Sequence, residues 1–297
     1  MAPRFRGIYA ALTTPFIEGE VALDKFKDNI RRYDAFGLEG YVVLGSTAEN
    51  VSLSDAESAD LVRAAKETAA PGKRLIVGTA RESTKLTIDF TRRMADLGAE
   101  AALVRTPGYY KSRLDAEALR RHFTAVADAS PIPVLLYNIP QNTGVAVDSP
   151  LVVELSRHPN IAGIKDSSGN LAAVSEVVPK ADRDFDFILG AGSLVLPALL
   201  MGASGAILAV ANAAPALCVE LYRQFEAGHL EEARKSQEAL VPLNRAVVPA
   251  YGIAGLKYAL DFQGYFGGLP RLPLLPVSDK GKAEIETLLK NLGLVSS

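Results

Sequence analysis

Histidine and cysteine are scarce in this chain, with three histidines and one cysteine among 297 residues. His122, His158 and His229 lie far apart, and no two of them share metal-ligand spacing. Cys218 stands alone, which rules out an internal disulfide and fits a reducing, cytoplasmic setting. No thiolate–imidazole pair or histidine-rich metal cage is expected, so catalysis would fall to lysine, tyrosine, hydroxyl and carboxylate groups. A strong charge of one sign is also missing. The net charge of −2 leaves no electrostatic footprint for nucleic acid or for an anionic membrane. Residues Met1 to Arg6 carry no apolar signal core, so no presequence is expected. Phe187 to Val219 is free of charged residues, but Pro197, Gly202, Gly205, Asn212 and Pro215 divide it into pieces. None of these pieces approaches the ~20 apolar residues of a membrane span.

What the chain does have is an alternation of short apolar runs with amphipathic segments. Strands are predicted at Ile8–Leu12, Tyr41–Leu44, Leu75–Gly78, Ala102–Val104, Val134–Tyr137, Ile161–Lys165, Phe185–Leu189 and Ala206–Val210. Most lack polar alternation, as expected of parallel strands buried on both faces. Helices are predicted at Asp24–Phe36, Asp55–Thr68, Thr84–Leu97 and Ala116–Ala129. Ser54 with Glu57 forms a capping box, and Gly37 and Gly98 sit where helices end. Eight strands each followed by a helix predict an α/β fold, a (β/α)8 TIM barrel. A doubly wound sheet is the competing fold, but no Gly-x-Gly-x-x-Gly turn follows the first strand. Helical pattern continues from Ala214 through Asp261 and again from Asp279 to Leu292. The expected organisation is therefore a barrel over 1–225 with a C-terminal helical extension over 226–297.

In such a barrel, chemistry sits at the C-terminal ends of the strands. Lys165 closes the apolar run Ile161–Ile164 and stands just before Asp166-Ser167-Ser168-Gly169. Its stem would lie in a dry interior, where burial disfavours an ammonium, and a neutral lysine amine can attack a carbonyl. A strand-end lysine can equally be a solvated cap. Ser46 and Thr47, in the loop Gly45-Ser46-Thr47-Ala48-Glu49, offer two hydroxyls and neighbouring N–H groups to a carboxylate, or are simply turn residues. Tyr137 could place a phenol near the amine as a proton relay, or be a buried strand tyrosine. Tyr109 and Tyr110 read as an interface anchor or as rim packing. Glu49 reads as structural, accepting hydrogen bonds from loop N–H groups. Together these parts suit a Schiff base between Lys165 and a 2-oxo acid. The iminium is itself an electron sink, so that chemistry requires neither metal nor organic cofactor.

Gly45–Glu49, Tyr137-Asn138-Ile139-Pro140 and Gly163-Ile164-Lys165-Asp166-Ser167-Ser168-Gly169 resemble the three signatures of the dihydrodipicolinate synthase / N-acetylneuraminate lyase family. The likeness runs from Thr13-Thr14-Pro15-Phe16 to Tyr251-Gly252-Ile253-Ala254-Gly255-Leu256-Lys257. It implies a class I lyase that acts on pyruvate and an aldehyde, on a barrel with extra C-terminal helices and in tetramers built as dimers of dimers. By resemblance Lys165 matches the Schiff-base lysine, Tyr137 the proton-relay tyrosine, and Ser46 with Thr47 the carboxylate-binding pair. One tyrosine of the Tyr109–Tyr110 pair matches a residue lent to the adjacent subunit. Ile207 matches a position whose backbone carbonyl lines the pocket, and Ser167 is a candidate to hold the second substrate.

Departures from the pattern bear on that second substrate. The synthases of the family usually have an arginine, gripping the carboxylate of aspartate semialdehyde, where this chain has Asn142. An amide is no substitute for a bidentate guanidinium–carboxylate pair. Ala48 stands where glycine is usual. The stretches Gln141–Gly144, Thr106–Tyr110 and Ser130–Pro133 look most like the 4-hydroxy-2-oxoglutarate aldolase branch, although the Ser46-Thr47 pair fits neither branch fully. The expected activity is therefore a 4-hydroxy-2-oxoglutarate-type aldolase. Dihydrodipicolinate synthase and sugar-acid aldolase or dehydratase are alternatives within the family, and a non-catalytic 2-oxo-acid sensor is the alternative outside enzymes.

Overall fold

Eight apolar runs become eight strands of one parallel sheet that closes on itself. They are β1 (Gly7–Ala11), β2 (Gly40–Val43), β3 (Arg74–Gly78), β4 (Ala101–Arg105), β5 (Val134–Asn138), β6 (Ile161–Asp166), β7 (Asp186–Leu189) and β8 (Gly205–Leu208). The computed structural model describes residues 5–295. Residues 1–4, part of the segment in which no presequence is expected, and 296–297, the end of the expected helical extension, lie outside the described residues. Around the sheet each strand neighbours the next in sequence, and β1 pairs with β2 through Tyr9–Gly40, Ala10–Tyr41 and Ala11–Val42. Nearly every strand residue is buried, because both faces of a parallel sheet are covered and leave no solvent side for polar alternation. No helix among the described residues is long and apolar enough to cross a membrane.

Helices form where capping side chains meet amphipathic periodicity. Asp55–Thr68 opens with the predicted capping box: Ser54 accepts from the Glu57 N–H, and the Glu57 carboxylate accepts from the Ser54 N–H. Ser83 and Asp115 cap Thr84–Asp96 and Ala116–Ala129 by accepting the Leu86 and Ala118 N–H groups. Gly37 and Gly98 take the left-handed conformation beyond their helices. The predicted Asp24–Phe36 helix divides into an α-helix, Leu23–Tyr33, and a tighter turn, Asp34–Phe36.

Past β8 the helical pattern is less continuous than expected. It runs as Pro215–Glu226, Leu230–Arg245, Gly252–Phe262 and Asp279–Asn291. Gly228, in the left-handed region, ends the first of these. The five residues Ala246–Ala250 widen into a π turn, in which the Tyr251 N–H reaches back to the Ala246 carbonyl. Pro249 lies inside that turn and has no N–H to give to an α-helical bond.

The chain has two compact units. One takes in Gly7 and Leu75–Ile207, and the other Ile8–Arg74 and the residues from Leu208 on. In the first, β4 to β7 form consecutive parallel pairs, with Tyr137 opposite Lys165, Asn138 opposite Asp166 and Gly163 opposite Asp186. A Cβ on Gly163 would come within 2.4 Å of the Asp186 carbonyl oxygen. Gly163→Ala is accordingly expected to lower stability by roughly 1–3 kcal/mol through overpacking between β6 and β7. Urea denaturation measures this, and an unchanged midpoint would show that the strands separate freely.

Candidate active site

Lys165 is the next-to-last residue of β6 and only 4% exposed, which excludes the solvated cap. Parallel pairing sets Tyr137 directly opposite it on β5, and the lysine Nζ lies 4.3 Å from the centre of the tyrosine ring. A buried amine beside a buried phenol is the pairing needed to form a carbinolamine and expel water from it.

The residues just after these two tie the strand ends together. Asn138 donates from Nδ2 to Asp166 Oδ2 at 2.7 Å and accepts the Val147 N–H at its own carbonyl oxygen. The other Asp166 oxygen takes the N–H and the hydroxyl of Ser168. Both side chains are buried, so each bond is worth more than at the surface and its loss leaves a partner stranded. This network has no sequence signal of its own, since Asn138 and Asp166 are 28 residues apart and meet only through the strand register.

Ser167 follows in the loop after β6. Its carbonyl accepts from Gln141 Nε2, and its hydroxyl lies where a Cβ on Gly190 would fall, 1.9 Å away. Gly190 is therefore needed for close approach. Asn142 sits in the short helical turn Pro140–Thr143 after β5 with its side chain exposed. Ile207 is fully buried on β8.

Tyr109 and Tyr110 are among the most exposed aromatics, at 77% and 72%, and pack edge to face. Their loop is anchored from below by a residue that sequence reasoning missed. Glu82 Oε2 accepts the N–H groups of Gly108 and Tyr109, and Oε1 accepts from Arg105. Burial pushes the Glu82 carboxyl up, but these N–H donors and Arg105 outweigh it and hold the pKa below the usual value. Next to this anchor lies buried His122. Its Nδ1 is 2.9 Å from the Thr84 hydroxyl, and its Nε2 has no hydrogen-bond partner among the described residues.

Ser46 and Thr47 belong to the other unit. They open a 3-10 turn, Ser46–Ala48, at the C-terminal end of β2. The left-handed residue of the turn is Glu49, at φ 56°, so Ala48 needs no glycine. Glu49 accepts a loop N–H as expected, that of Arg271, and a lysine besides. Its carboxylate does not bond its own loop but takes Lys257 Nζ and the Arg271 N–H, more than 200 residues away. The C-terminal segments reach the turn only in the folded chain, so sequence proximity could not reveal them.

Known proteins resemble this chain along nearly its whole length. The model of the dihydrodipicolinate synthetase family matches residues 4–292. A 4-hydroxy-tetrahydrodipicolinate synthase of Exiguobacterium sp. is 36% identical over 292 residues, covering 98% of this chain and 99% of that protein. One from Methanothrix thermoacetophila is 36% identical over 290 residues, covering 97% of each chain. The crystal structure of dihydrodipicolinate synthase from Thermotoga maritima superposes with a TM-score of 0.94 at 30% identity, covering 98% of this chain and 99% of that one. These relatives carry the synthase name, and none of them backs the expected likeness to the 4-hydroxy-2-oxoglutarate aldolase branch.

His122 gives the support of the tyrosine loop an acid sensitivity. Burial, helped by Arg105, lowers its pKa to about 4, against about 6.5 for an unfolded histidine. Between those values the unfolded chain binds the proton and the folded one does not, so stability falls as pH drops from about 6.5 toward about 4. The slope from this group reaches at most ~1.4 kcal/mol per pH unit. His122→Gln is expected to flatten that limb in denaturation midpoints measured against pH, and an unchanged slope would place the proton elsewhere.

Proposed function

This chain belongs to the dihydrodipicolinate synthetase family, and we propose that it is a 4-hydroxy-tetrahydrodipicolinate synthase with Lys165 as its Schiff-base residue. The family's chemistry is that of a class I lyase, which binds pyruvate covalently through a lysine. The observation that carries the assignment to Lys165 is its buried Nζ, 4.3 Å from the Tyr137 ring at the ends of paired strands. The relatives' names favour the synthase.

In this reading the Lys165 amine adds to the ketone carbon of pyruvate. Tyr137 passes a proton to the carbinolamine oxygen, which leaves as water. Loss of a proton from the methyl carbon then gives an enamine, and that carbon attacks the aldehyde. The amino group of aspartate semialdehyde then adds to the new iminium carbon, which closes the ring and releases the Lys165 amine. Ser46 and Thr47 hold the pyruvate carboxylate, with the Ile207 carbonyl lining the pocket. Ser167 and Asn142 face the second substrate, and Tyr109 or Tyr110 completes the site of a neighbouring subunit in a homotetramer. A cytoplasmic location suits this chemistry and the lone buried Cys218.

Asn142 supports a second reading, cleavage of a 4-hydroxy-2-oxo acid such as 4-hydroxy-2-oxoglutarate to pyruvate and an aldehyde. Without a guanidinium at this position, aspartate semialdehyde loses its bidentate carboxylate partner. A charge-assisted pair of this kind contributes about 1.5–3 kcal/mol.

Borohydride reduction in the presence of pyruvate is expected to leave a mass-shifted Lys165 in peptide mapping and no adduct in Lys165→Ala. An unmodified Lys165 would sink both readings. Condensation with aspartate semialdehyde, measured beside pyruvate release from 4-hydroxy-2-oxoglutarate, decides between them. Condensation alone supports the synthase. Pyruvate release alone supports the aldolase, and Asn142→Arg should then raise condensation about 10- to 100-fold.

A further inference from the structure

The buried pair between Glu49 and Lys257 plays no part in the chemistry above, yet it is the most enclosed charged pair among the described ion pairs. Neither side chain is exposed to solvent at all. Lys257 Nζ lies 2.6 Å from Glu49 Oε1 and also donates to the Leu269 carbonyl. The second Glu49 oxygen takes the Arg271 N–H at 2.8 Å. Lys257 Nζ is 4.3 Å, and the Arg271 guanidinium 4.4 Å, from the centre of the Phe16 ring. Thr14 donates from its hydroxyl to the Ala48 carbonyl at 2.8 Å, and Arg271 Nη1 donates to the Ser52 carbonyl. The turn that begins at Ser46 is thus gripped at Ala48, at Glu49 and at Ser52.

Two features suggest a purpose beyond holding the fold. A buried ion pair contributes little net stability, because desolvation offsets most of the attraction, and apolar side chains of equal volume often serve as well. Burial does act on this lysine, lowering its pKa against the opposing effect of Glu49. The second feature is the backbone of Glu49, at φ 56°, where glycine fits without strain. A glutamate in that conformation keeps what glycine lacks, a carboxylate that joins the helix Gly252–Phe262 and the Leu269–Arg271 segment to this one turn.

We propose that the Glu49–Lys257 pair is a positioning device that sets the Ser46–Thr47 turn, and through it the affinity for the 2-oxo-acid carboxylate, without touching substrate. The proposal rests on the reading of Ser46 and Thr47 as the carboxylate site. A residue pair that only supported the fold would move the melting temperature and leave substrate affinity alone. A positioning pair moves the pyruvate concentration that half-saturates Schiff-base formation and leaves the extent at saturation unchanged.

The test is borohydride trapping titrated with pyruvate on the full chain, with adduct on Lys165 read by mass spectrometry. The paired variant Glu49→Gln with Lys257→Met keeps both volumes and removes both charges. Glu49→Asp keeps the charge and shortens the arm by one methylene, so it tests the same idea should the paired variant not fold. Half-saturation is expected to rise at least tenfold in the paired variant and at least threefold in Glu49→Asp, with full trapping at saturation in both. Half-saturation within twofold of the parent in a folded variant overturns the proposal and leaves the Schiff-base reading intact. Absence of any Lys165 adduct in the parent overturns both.

Discussion

Parallel register between β5 and β6 is the constraint on which the proposed chemistry depends. It sets Tyr137 against Lys165 and, one residue on, Asn138 against Asp166. Cross-strand neighbours in a parallel pair share a face, so the phenol and the amine meet without any loop having to bring them together. The second pair sits where the strands run out into loops, and its hydrogen bonds keep the first from fraying. Gly163 belongs to the same constraint from the other side, because β6 can approach β7 closely enough only if that position carries no side chain.

Three carboxylates, two buried and one exposed, repeat one device at three strand ends. Asp166 holds the loop after β6 through Ser168 and ties it to Asn138. Glu82 holds the loop after β4 through two successive N–H groups. Glu49 holds the turn after β2 through partners far along the chain. In each case the carboxylate accepts at least one backbone N–H, and bonds of this charge-assisted kind are the strong and directional ones. Ser46, Thr47, Tyr109, Tyr110 and Ser167, the residues proposed to meet substrate, lie beside these anchors.

The strands were legible because burial on both faces leaves a continuous apolar run, and all eight lie within two residues of their expected ends. The capping box at Ser54 was equally plain, being entirely local. The interruption around Ala246–Ala250 was not, since an apolar face continues through a π turn much as through an α-helix. That Tyr137 and Lys165 stand opposite one another followed from the strand readings, since both were expected at the ends of successive strands. Glu82, the Asn138–Asp166 bond and Lys257 could not be read this way, because each acts through a partner that only the closed sheet or the folded C-terminal segment brings near. Glu49 was recognised as structural with a loop N–H among its donors, but the lysine it also takes was not foreseen, for that reason.

Selection of the second substrate follows a different logic from formation of the first intermediate. An enamine is a general nucleophile, and nothing in Lys165 or Tyr137 distinguishes one aldehyde from another. Discrimination has to come from groups that meet the distal end of the aldehyde, and the family resemblance points to the exposed turn Pro140–Thr143. That turn is fastened at one end by Thr143, whose hydroxyl accepts from Thr106, and at its middle by Gln141 on the Ser167 carbonyl. Asn142 lies between those ties with its side chain outward, so its identity can change without disturbing either. A relative can therefore share the barrel, the lysine and the tyrosine at about one-third identity and still differ in what it condenses.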